Sequence, residues 1–465
     1  MPPHSNYVFK HALIQEAAYD TLLRTTRQQH HRRVAQTYEA RFPEVAQSRP
    51  ELVAHHYSRA LMPAPALAFW QRAGELAVAR SGYNEALGHL SAALEEIKLL
   101  PESAERAATE LALRIKIGPA LQALKGMGAP ETGDNYARAC LLAEPSGDGP
   151  ERFMALWGDW LYKTTSGAIE AAARRSEDLV NLSRRLADDN YILQAHHSRW
   201  TNYFMLGNAA VCRADTLHGI SLYDRDRHRD HKHLYGGHDP NVCAHNIGGN
   251  SAWLMGHVGE ALELAEKSIV IGQELDHPFS LSLAFVWSNF VFACAGQHIR
   301  AGRCAEDLIA LSDQHGFKQW IGSATIMLGA AQVTQGSTSF GLKLVERGIE
   351  AQRATGLKMW EPFLVTAAAE AHLRVGNHAR ALDLLTEAIN LARSLRACWY
   401  LPEMERLRAD ALLQTGTINL IEAGHRFDEA ARLAADQSAR VLQWRAELSL
   451  SRVLMQQGRR RARCA

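Results

Sequence analysis

The chain of 465 residues carries 51 Lys and Arg against 50 Asp and Glu, which gives a net charge of +1 at pH 7. Its 47% hydrophobic and 22% charged residues are typical of a folded globular protein and exclude disordered and fibrous classes. The charge balance argues against a protein that binds nucleic acid or another polyanion through bulk charge.

The first ten residues contain no apolar stretch of the kind that forms a signal peptide. The longest apolar stretch, Leu281–Ala295, is interrupted by Ser288 and Asn289 and is shorter than the ~20 residues that span a bilayer. The seven cysteines are scattered and include no C-x-x-C pair, which predicts reduced thiols rather than a disulfide framework or a zinc ribbon. We therefore expect a cytoplasmic protein without a membrane segment.

The first 200 residues have a helical but irregular pattern. The segment Gly82–Leu94 has the sequence of the second half of a helical hairpin, and Glu144–Pro150 is a loop with two prolines and two glycines. Prolines divide this region into short helices, at Pro101, Pro119, Pro130, Pro145 and Pro150. We predict that residues 51–200 form irregular helical repeats.

The C-terminal half repeats with a period of 40 residues, marked by a glycine and by an isoleucine thirteen positions later. Leu382, Leu385, Ile389 and Ala392 step by three and four positions, which places one apolar stripe on one face of the helix after the glycine. The glycine itself suits the left-handed turn that ends the preceding helix. The markers are Gly256, Gly296, Gly336, Gly376 and Gly416, with Ile269, Ile309, Ile349 and Ile389.

An insertion interrupts this register. Gly207 and Ile220 keep the offset of thirteen, but Gly207 and Gly256 are 49 residues apart, nine more than one repeat. The extra residues coincide with the polar, histidine-rich segment Asp224–Asp239, whose sequence is DRDRHRDHKHLYGGHD. We predict an insertion into the repeat array near residues 224–240.

The insertion has two interpretations. Histidine, cysteine and aspartate side chains there could bind zinc or nickel. The favoured interpretation is a solvated loop of alternating charge, with Asp239 and Pro240 as the N-cap and first residue of the next helix. We therefore assign no metal site. The candidate ligands are His228, His231, His233, His238, Cys243 and His245, with Asp230 and Asp239.

Three pairs of adjacent histidines lie on helical patterns: His30-His31, His55-His56 and His196-His197. Adjacent residues on a helix point about 100° apart, so the two members of a pair do not chelate one ion together. We interpret all three pairs as solvated or interface faces.

Aromatic residues recur near the start of the first helix of successive repeats, at Trp320, Trp360 and the pair Trp399-Tyr400. The favoured interpretation is packing between repeats, because large aromatic side chains dominate core burial. The alternative is a row of anchors along a concave groove that binds a partner, with Arg406 included.

The sequence contains no motif of a known catalytic or nucleotide site. H-E-x-x-H, G-x-S-x-G and G-x-G-x-x-G are absent, and no glycine is followed by lysine, so a phosphate-binding loop of the G-K-[ST] type is absent too. The basic segments Arg27–Arg33 and Arg459–Arg463 are short and far apart. We predict no catalytic residues, no cofactor, no enzymatic activity and no nucleic-acid partner.

The core pattern Leu373, Gly376, Ala381-Leu382 resembles tetratricopeptide repeats in a long form of roughly 40 residues; armadillo or HEAT repeats have a similar period. Longer stretches resemble multidomain bacterial ATPases of the signal-transduction type, at the junction between their nucleotide-binding module and their helical repeats and at later positions. Many members of that family begin with a class III adenylate or guanylate cyclase domain. The stretches are Tyr7–Leu23, Arg27–Glu39, Glu51–Ala60, Gly236–Asn246 and Leu401–Leu413.

The resemblance covers only the C-terminal part of that family, and the array stops after Gly458 without a polar cap. The pattern is that of a chain cut at both ends, which would be a fragment, a split gene or a mis-called start. The predicted fold is an all-α, tetratricopeptide-like solenoid forming a right-handed superhelix. Residues 1–50 are a helical junction remnant, 51–200 irregular repeats and 201–465 regular repeats. The resemblance implies a non-catalytic interaction or sensor scaffold that binds a protein partner in its concave groove. The alternatives are a small-effector-binding repeat domain of a transcription regulator and a metal-binding protein.

Overall fold

The computed structural model of the protein describes residues 16, 17 and 19–464, except for the side chains at 146 and 459–464. All regular elements in that range are helices, which confirms the predicted all-α class. Among these residues no helix combines the length and the apolar character that a bilayer crossing requires. The packing of Cα atoms divides the chain into two units, Met1–Ile117 and Gly118–Ala465. The sequence-based boundaries at residues 50 and 200 stay predictions.

From Arg24 onward, the first unit contains five helices and most of a sixth. Proline occupies the first position of three of them, where a missing N–H is not needed for the helix ladder. Ala35, Val53, Tyr57 and Ala66 form its main buried cluster. The helices are α1 (Arg24–Arg41), α2 (Pro43–Ser48), α3 (Pro50–Arg59), α4 (Pro63–Ala79), α5 (Tyr83–Lys98) and α6 (Ala104–Leu124), which crosses the boundary.

The second unit is an array of helix pairs that begins after α6. Two short helices, α12 and α13, belong to the insertion, and a 3₁₀ turn spans Glu144–Ser146. The helices up to the insertion are α7 (Pro130–Ala143), α8 (Pro150–Thr165), α9 (Ile169–Leu186), α10 (Asp189–Leu206), α11 (Ala209–Leu222), α12 (Arg225–His228) and α13 (His231–Leu234). Those that follow are α14 (Pro240–Leu254), α15 (Val258–Glu274), α16 (Pro278–Cys294), α17 (His298–His315), α18 (Lys318–Thr334), α19 (Thr338–Arg353), α20 (Glu361–Arg374), α21 (His378–Leu395), α22 (Leu401–Gln414), α23 (Leu420–Asp436) and α24 (Arg440–Cys464).

The predicted glycine turns are confirmed. All five marker glycines have left-handed backbones, with φ from +73° at Gly416 to +95° at Gly336, and each separates the two helices of a pair. The same turn occurs at Gly207 and, 40 residues earlier, at Gly167, with φ values of +84° and +91°. Val180 stands thirteen positions after Gly167, where later repeats have isoleucine, so the α8–α9 pair follows the regular pattern although its marker differs.

The two helices of a pair are buried differently. Second helices bury one stripe, as predicted for α21, where Leu385, Ile389 and Ala392 are fully buried. First helices are buried nearly all round, as in α14, where every residue from Pro240 to Leu254 except Asn241 is buried. A helix buried on all faces needs neighbours on all faces, which a simple row of helix pairs does not provide.

The additional neighbours come from the array itself, which returns onto its own earlier repeats. The Lys358 N–H donates to the Thr165 carbonyl over 2.8 Å, and the Cys398 N–H donates to the Met205 carbonyl over 2.8 Å. The Gln319 side chain accepts from the N–H of Met127, 192 residues earlier, over 3.0 Å. The second unit is therefore a helical-repeat solenoid whose later repeats pack on its earlier ones, and we call this arrangement the closed coil.

The insertion is the part of the fold that differs most from expectation. The solvated-loop interpretation is wrong for His228, His231, Tyr235 and His238, which are between 1% and 4% exposed. The Tyr235 ring packs on Trp157 of α8 at 5.4 Å, so the insertion fills space against earlier repeats. Its charged side chains at positions 224–227, 229 and 230 remain exposed, so the insertion has a solvated face and a buried face.

A candidate binding cavity and a buried histidine–cysteine cluster

The predicted row of groove anchors is a packed core. Trp320, Trp360, Trp399 and Tyr400 are at most 3% exposed, which agrees with the packing interpretation. Trp320 stacks on Trp360 with ring centroids 5.5 Å apart. The role of the three tryptophans as anchors for a partner stays a prediction.

Aromatic rings from distant repeats meet in the interior of the coil. Phe204 of α10 lies 4.8 Å from Trp399 and 5.4 Å from Trp287, measured between ring centroids. Trp287 in turn lies 5.2 Å from Trp360. These rings fill the space where an open superhelix would have its groove.

A cavity of about 400 Å³ remains beside this aromatic core, in the second unit. Its walls come mainly from first helices, α14, α16, α18, α20 and α24, and they carry small side chains that leave the space open. Tyr400 is the one predicted groove residue among the lining residues. The wall is formed by Trp253, Val258, Ala293, Cys294, Ala295, Gly296, His298, Ala301, Met327, Ala330, Ala331, Thr334, Phe363, Ala367, Glu370, Ala371, Arg374, Tyr400, Val441 and Arg445.

A buried ion-pair network supports one side of the cavity. Glu403, 2% exposed, accepts from Nε and Nη2 of Arg406 over 2.8 and 2.9 Å and from Nη1 of Arg445 over 3.0 Å. Burial opposes the charge of Glu403, but Arg406 and Arg445 outweigh it and hold the pKa of this carboxyl below its ordinary value. Arg406, a predicted groove residue, therefore positions Glu403 and does not line the cavity.

Arg445 joins this network to the cavity wall. Its Nη2 donates to the Cys294 carbonyl over 3.2 Å, and its guanidinium lies 5.3 Å from the centre of the Trp253 ring. The neighbouring Cys294 thiol is not a nucleophile at neutral pH, because burial raises its pKa to about 12.

Glu370 is the carboxyl that lines the cavity itself. Within the described part of the chain it makes no hydrogen bond and no ion pair. Burial raises its pKa above the ordinary value, and the nearby charge of Glu403 adds to that effect. The cavity thus has apolar walls, a paired arginine and a carboxyl with no partner.

A second polar group lies in the same unit, at the insertion. His197 of α10, His238 before α14 and Cys243 of α14 are all buried, and their ligand atoms lie within 4.8 Å of one another. Imidazole nitrogen and thiolate sulfur are ligands that zinc prefers.

The other candidate ligands of the insertion lie elsewhere. His231 hydrogen-bonds Gln194 over 2.9 Å, and His233 packs on His277 at 5.2 Å. Asp239 caps α14, accepting from the N–H groups of Asn241 and Val242 over 2.8 and 3.1 Å, as predicted. The insertion therefore contributes one of its histidines to the cluster.

The interpretation of the pair His196-His197 as a solvated or interface face excludes His197 as a candidate ligand. This interpretation is wrong for His197, because its side chain is only 1% exposed. The sequence does contain a usable signal. Leu193, His197, Trp200 and Phe204 step by four, three and four positions, and all four are buried on one face of α10.

Comparison with known proteins supports the fold and identifies no family for the chain. No protein-family profile matches the chain. An uncharacterized protein of Rhizobium meliloti (strain 1021) is 24% identical over 459 residues, which are 97% of this chain and 44% of the relative, so the chain spans less than half of that relative's length.

Solved structures resemble the chain in fold. A Rap protein complexed with Competence and Sporulation Factor covers 84% of this chain and 99% of its own, with a TM-score of 0.55 and 13% identity. A signal transduction ATPase with a tetratricopeptide repeat sensor from Pyrococcus horikoshii covers 85% of this chain and 69% of its own, with a TM-score of 0.37 and 12% identity. The predicted tetratricopeptide-like helical-repeat fold is confirmed.

Proposed function

We propose that this chain is a non-catalytic sensor module that binds a peptide or a segment of a partner protein in the cavity of its second unit. It would form the repeat portion of a bacterial signalling ATPase or adenylate cyclase-type regulator in the cytoplasm. The observation that carries the proposal is the cavity itself, which combines alanine-rich walls with Arg445 and the unpaired Glu370.

The chemistry of the wall suits a peptide. Arginine has five N–H donors, and Arg445 uses two of them in the hydrogen bonds to Glu403 and Cys294. The others are available to a ligand carboxylate or carbonyl, while Glu370 can pair with an amine or an amide N–H. The small side chains of Ala330 and Ala367 leave room for an apolar side chain of the ligand.

The comparisons support this proposal without testing it. The Rap structure shares the fold over most of both chains and holds a bound factor. The relative from Rhizobium meliloti is more than twice as long as the part matched, which leaves room for the ATPase or cyclase modules that the sequence resemblance implies.

A larger side chain in the cavity wall should weaken peptide binding. In Ala367→Trp the indole would occupy the space between α18 and α20, because Ala367 is half-buried in the wall. We expect peptides with free C-terminal carboxylates, selected from a library by thermal shift, to bind this variant at least tenfold more weakly by calorimetry. Ala351→Trp, on the exposed face of α19, is the matched control and should bind within twofold of the unmodified chain.

Equal peptide affinity in the Ala367→Trp variant would contradict the proposal, and so would a library with no binding peptide. A cavity of about 400 Å³ also lies in the size range of small-ligand pockets, which favours the small-effector alternative specifically. Metabolites that shift the melting temperature where peptides do not would establish that alternative instead.

A further inference from the structure

A chain of hydrogen bonds leads from Asp188 to the histidine–cysteine cluster. Because Asp188 can only accept, it determines which group donates in each of these bonds. The Asp188 carboxylate only accepts, so the Asn190 amide donates to it through Nδ2 over 2.8 Å. The Asn190 amide oxygen therefore faces the Nε2 of His231, 3.2 Å away, and must accept from it. His231 accordingly carries its proton on Nε2, and its Nδ1 is bare.

The unprotonated Nδ1 of His231 determines the orientation of the Gln194 amide and, through it, the tautomer of His197. It accepts from the Gln194 Nε2 over 2.9 Å, which turns the Gln194 amide oxygen toward His197. That oxygen accepts from the His197 Nδ1 over 3.1 Å. A neutral imidazole has one proton, so the His197 Nε2 is a bare lone pair.

The other histidine is fixed independently. The Gly236 carbonyl can only accept, and it accepts from the His238 Nδ1 over 3.1 Å, so the His238 Nε2 is bare as well. The two bare Nε2 atoms face each other at 3.3 Å. Two lone pairs at this distance repel unless a positive centre lies between them.

A proton is a poor candidate for that centre. An added proton would place a positive charge on the ring of His197 or His238, and these residues are only 1% and 2% exposed. A metal cation is different, because the Cys243 thiol beside it can lose its proton and offset the charge.

We propose that the Nε2 atoms of His197 and His238 and the Sγ of Cys243 bind a zinc ion. Two nitrogens at ~2.0–2.1 Å from a tetrahedral zinc lie about 3.3–3.4 Å apart, close to the 3.3 Å between these two atoms. Each ligand imidazole already donates its other N–H to an oxygen, the arrangement found around zinc-bound histidines. The ion would tie α10 to the start of α14 and hold the insertion in place.

This site is independent of the proposed peptide cavity, since the two share no residue. The test uses the full-length reduced chain, stripped with chelator, loaded with Zn²⁺ and passed through a desalting column. We expect one Zn²⁺ per chain by mass spectrometry of the elements, and at least a tenfold weaker affinity in Cys243→Ser and His238→Gln. Cys304→Ser, which replaces a buried cysteine of α17, is the matched control and should retain the metal.

Co²⁺ provides a readout that does not depend on the variants folding. The rings of Trp157 and Trp200 lie 5.4 and 4.9 Å from the His197 ring, so Co²⁺ in the site should quench tryptophan fluorescence and show a thiolate-to-cobalt absorption band. A folded apo chain that takes up neither Zn²⁺ nor Co²⁺ in stoichiometric amounts would overturn the proposal. Uptake that survives in folded Cys243→Ser and His238→Gln chains would overturn it equally.

Discussion

The half-buried Glu370 and the buried Glu403 show how neighbouring charges decide the charge state of a carboxyl. Both are in the same region of the second unit, and burial disfavours the charge of each. Glu403 has two arginine partners and its pKa falls, whereas Glu370 has none among the described residues and its pKa rises. The unpaired carboxyl is therefore destabilising when no ligand is bound.

Replacing Glu370 by glutamine should stabilise the chain in a pH-dependent way. Because the folded-state pKa is raised above 4.5, the folded protein loses stability as pH rises from 4.5 through that folded pKa. Glutamine stays neutral, so the advantage of Glu370→Gln should grow to about 1 kcal/mol at pH 8 and nearly vanish at pH 4.5.

Urea unfolding at the two pH values measures this difference. Glu350→Gln, an exposed carboxyl of α19, is the control and should show no such trend. A Glu370→Gln variant that is less stable than the unmodified chain at pH 8 would contradict the argument.

At the scale of elements, α18 and α19 pack unusually closely through glycines. A Cβ on Gly329 would lie 2.6 Å from the Gly341 carbonyl oxygen, and one on Gly348 would lie 2.7 Å from the Ile326 backbone nitrogen. The turn glycines serve another purpose. A Cβ on Gly376 would meet nothing within 4 Å, so only its φ of +76° favours glycine.

Alanine at these two kinds of glycine should therefore give different losses of stability. Gly348→Ala forces two helix backbones apart, and we expect about 3 kcal/mol of destabilisation. Gly376→Ala imposes only left-handed strain, about 1–2 kcal/mol. Urea unfolding of both variants in the same buffer tests the distinction, and equal losses would show that the helix crossing relaxes freely.

The parts of the fold that depend on local pattern could be predicted from the sequence. The left-handed turns at Gly256 and Gly376 and the stripe containing Ile389 follow from residue type and spacing. The complete burial of α14 could not be predicted, because it depends on residues in distant repeats that no local periodicity encodes. His197 lies between these cases, since its helical face was readable but its partner His238 comes from an irregular segment.

At the scale of the whole second unit, closure changes how stability is shared. In an open repeat array each unit contacts only its neighbours, and stability is a sum of local terms. Here backbone hydrogen bonds join Thr165 to Lys358 and Met205 to Cys398, and Phe204 contacts Trp399. Early and late repeats of this unit should therefore unfold together.

Phe204→Ala tests this cooperativity. Removing the ring should destabilise the unit by about 3–5 kcal/mol, the range for a fully buried phenylalanine. Hydrogen exchange should then accelerate in α10, in α16 and at the start of α22 alike, because the lost contacts with Trp287 and Trp399 join these segments. Phe340→Ala, 59% exposed on α19, should change stability by less than about 0.5 kcal/mol. Acceleration confined to α9–α11 would indicate independent repeats.

The contacts between distant repeats in the closed coil also limit how the gene can change by duplication of repeats. Open arrays lengthen or shorten by whole repeats, since a new unit meets the same neighbours as the old one. In this unit Gln319 meets Met127 across 192 residues, and Thr165 and Met205 have partners at nearly the same distance along the chain. Adding or losing one repeat between them would move all three pairs out of alignment at once. A change in the number of repeats in this segment should therefore cost more stability than a change that leaves these pairs in register.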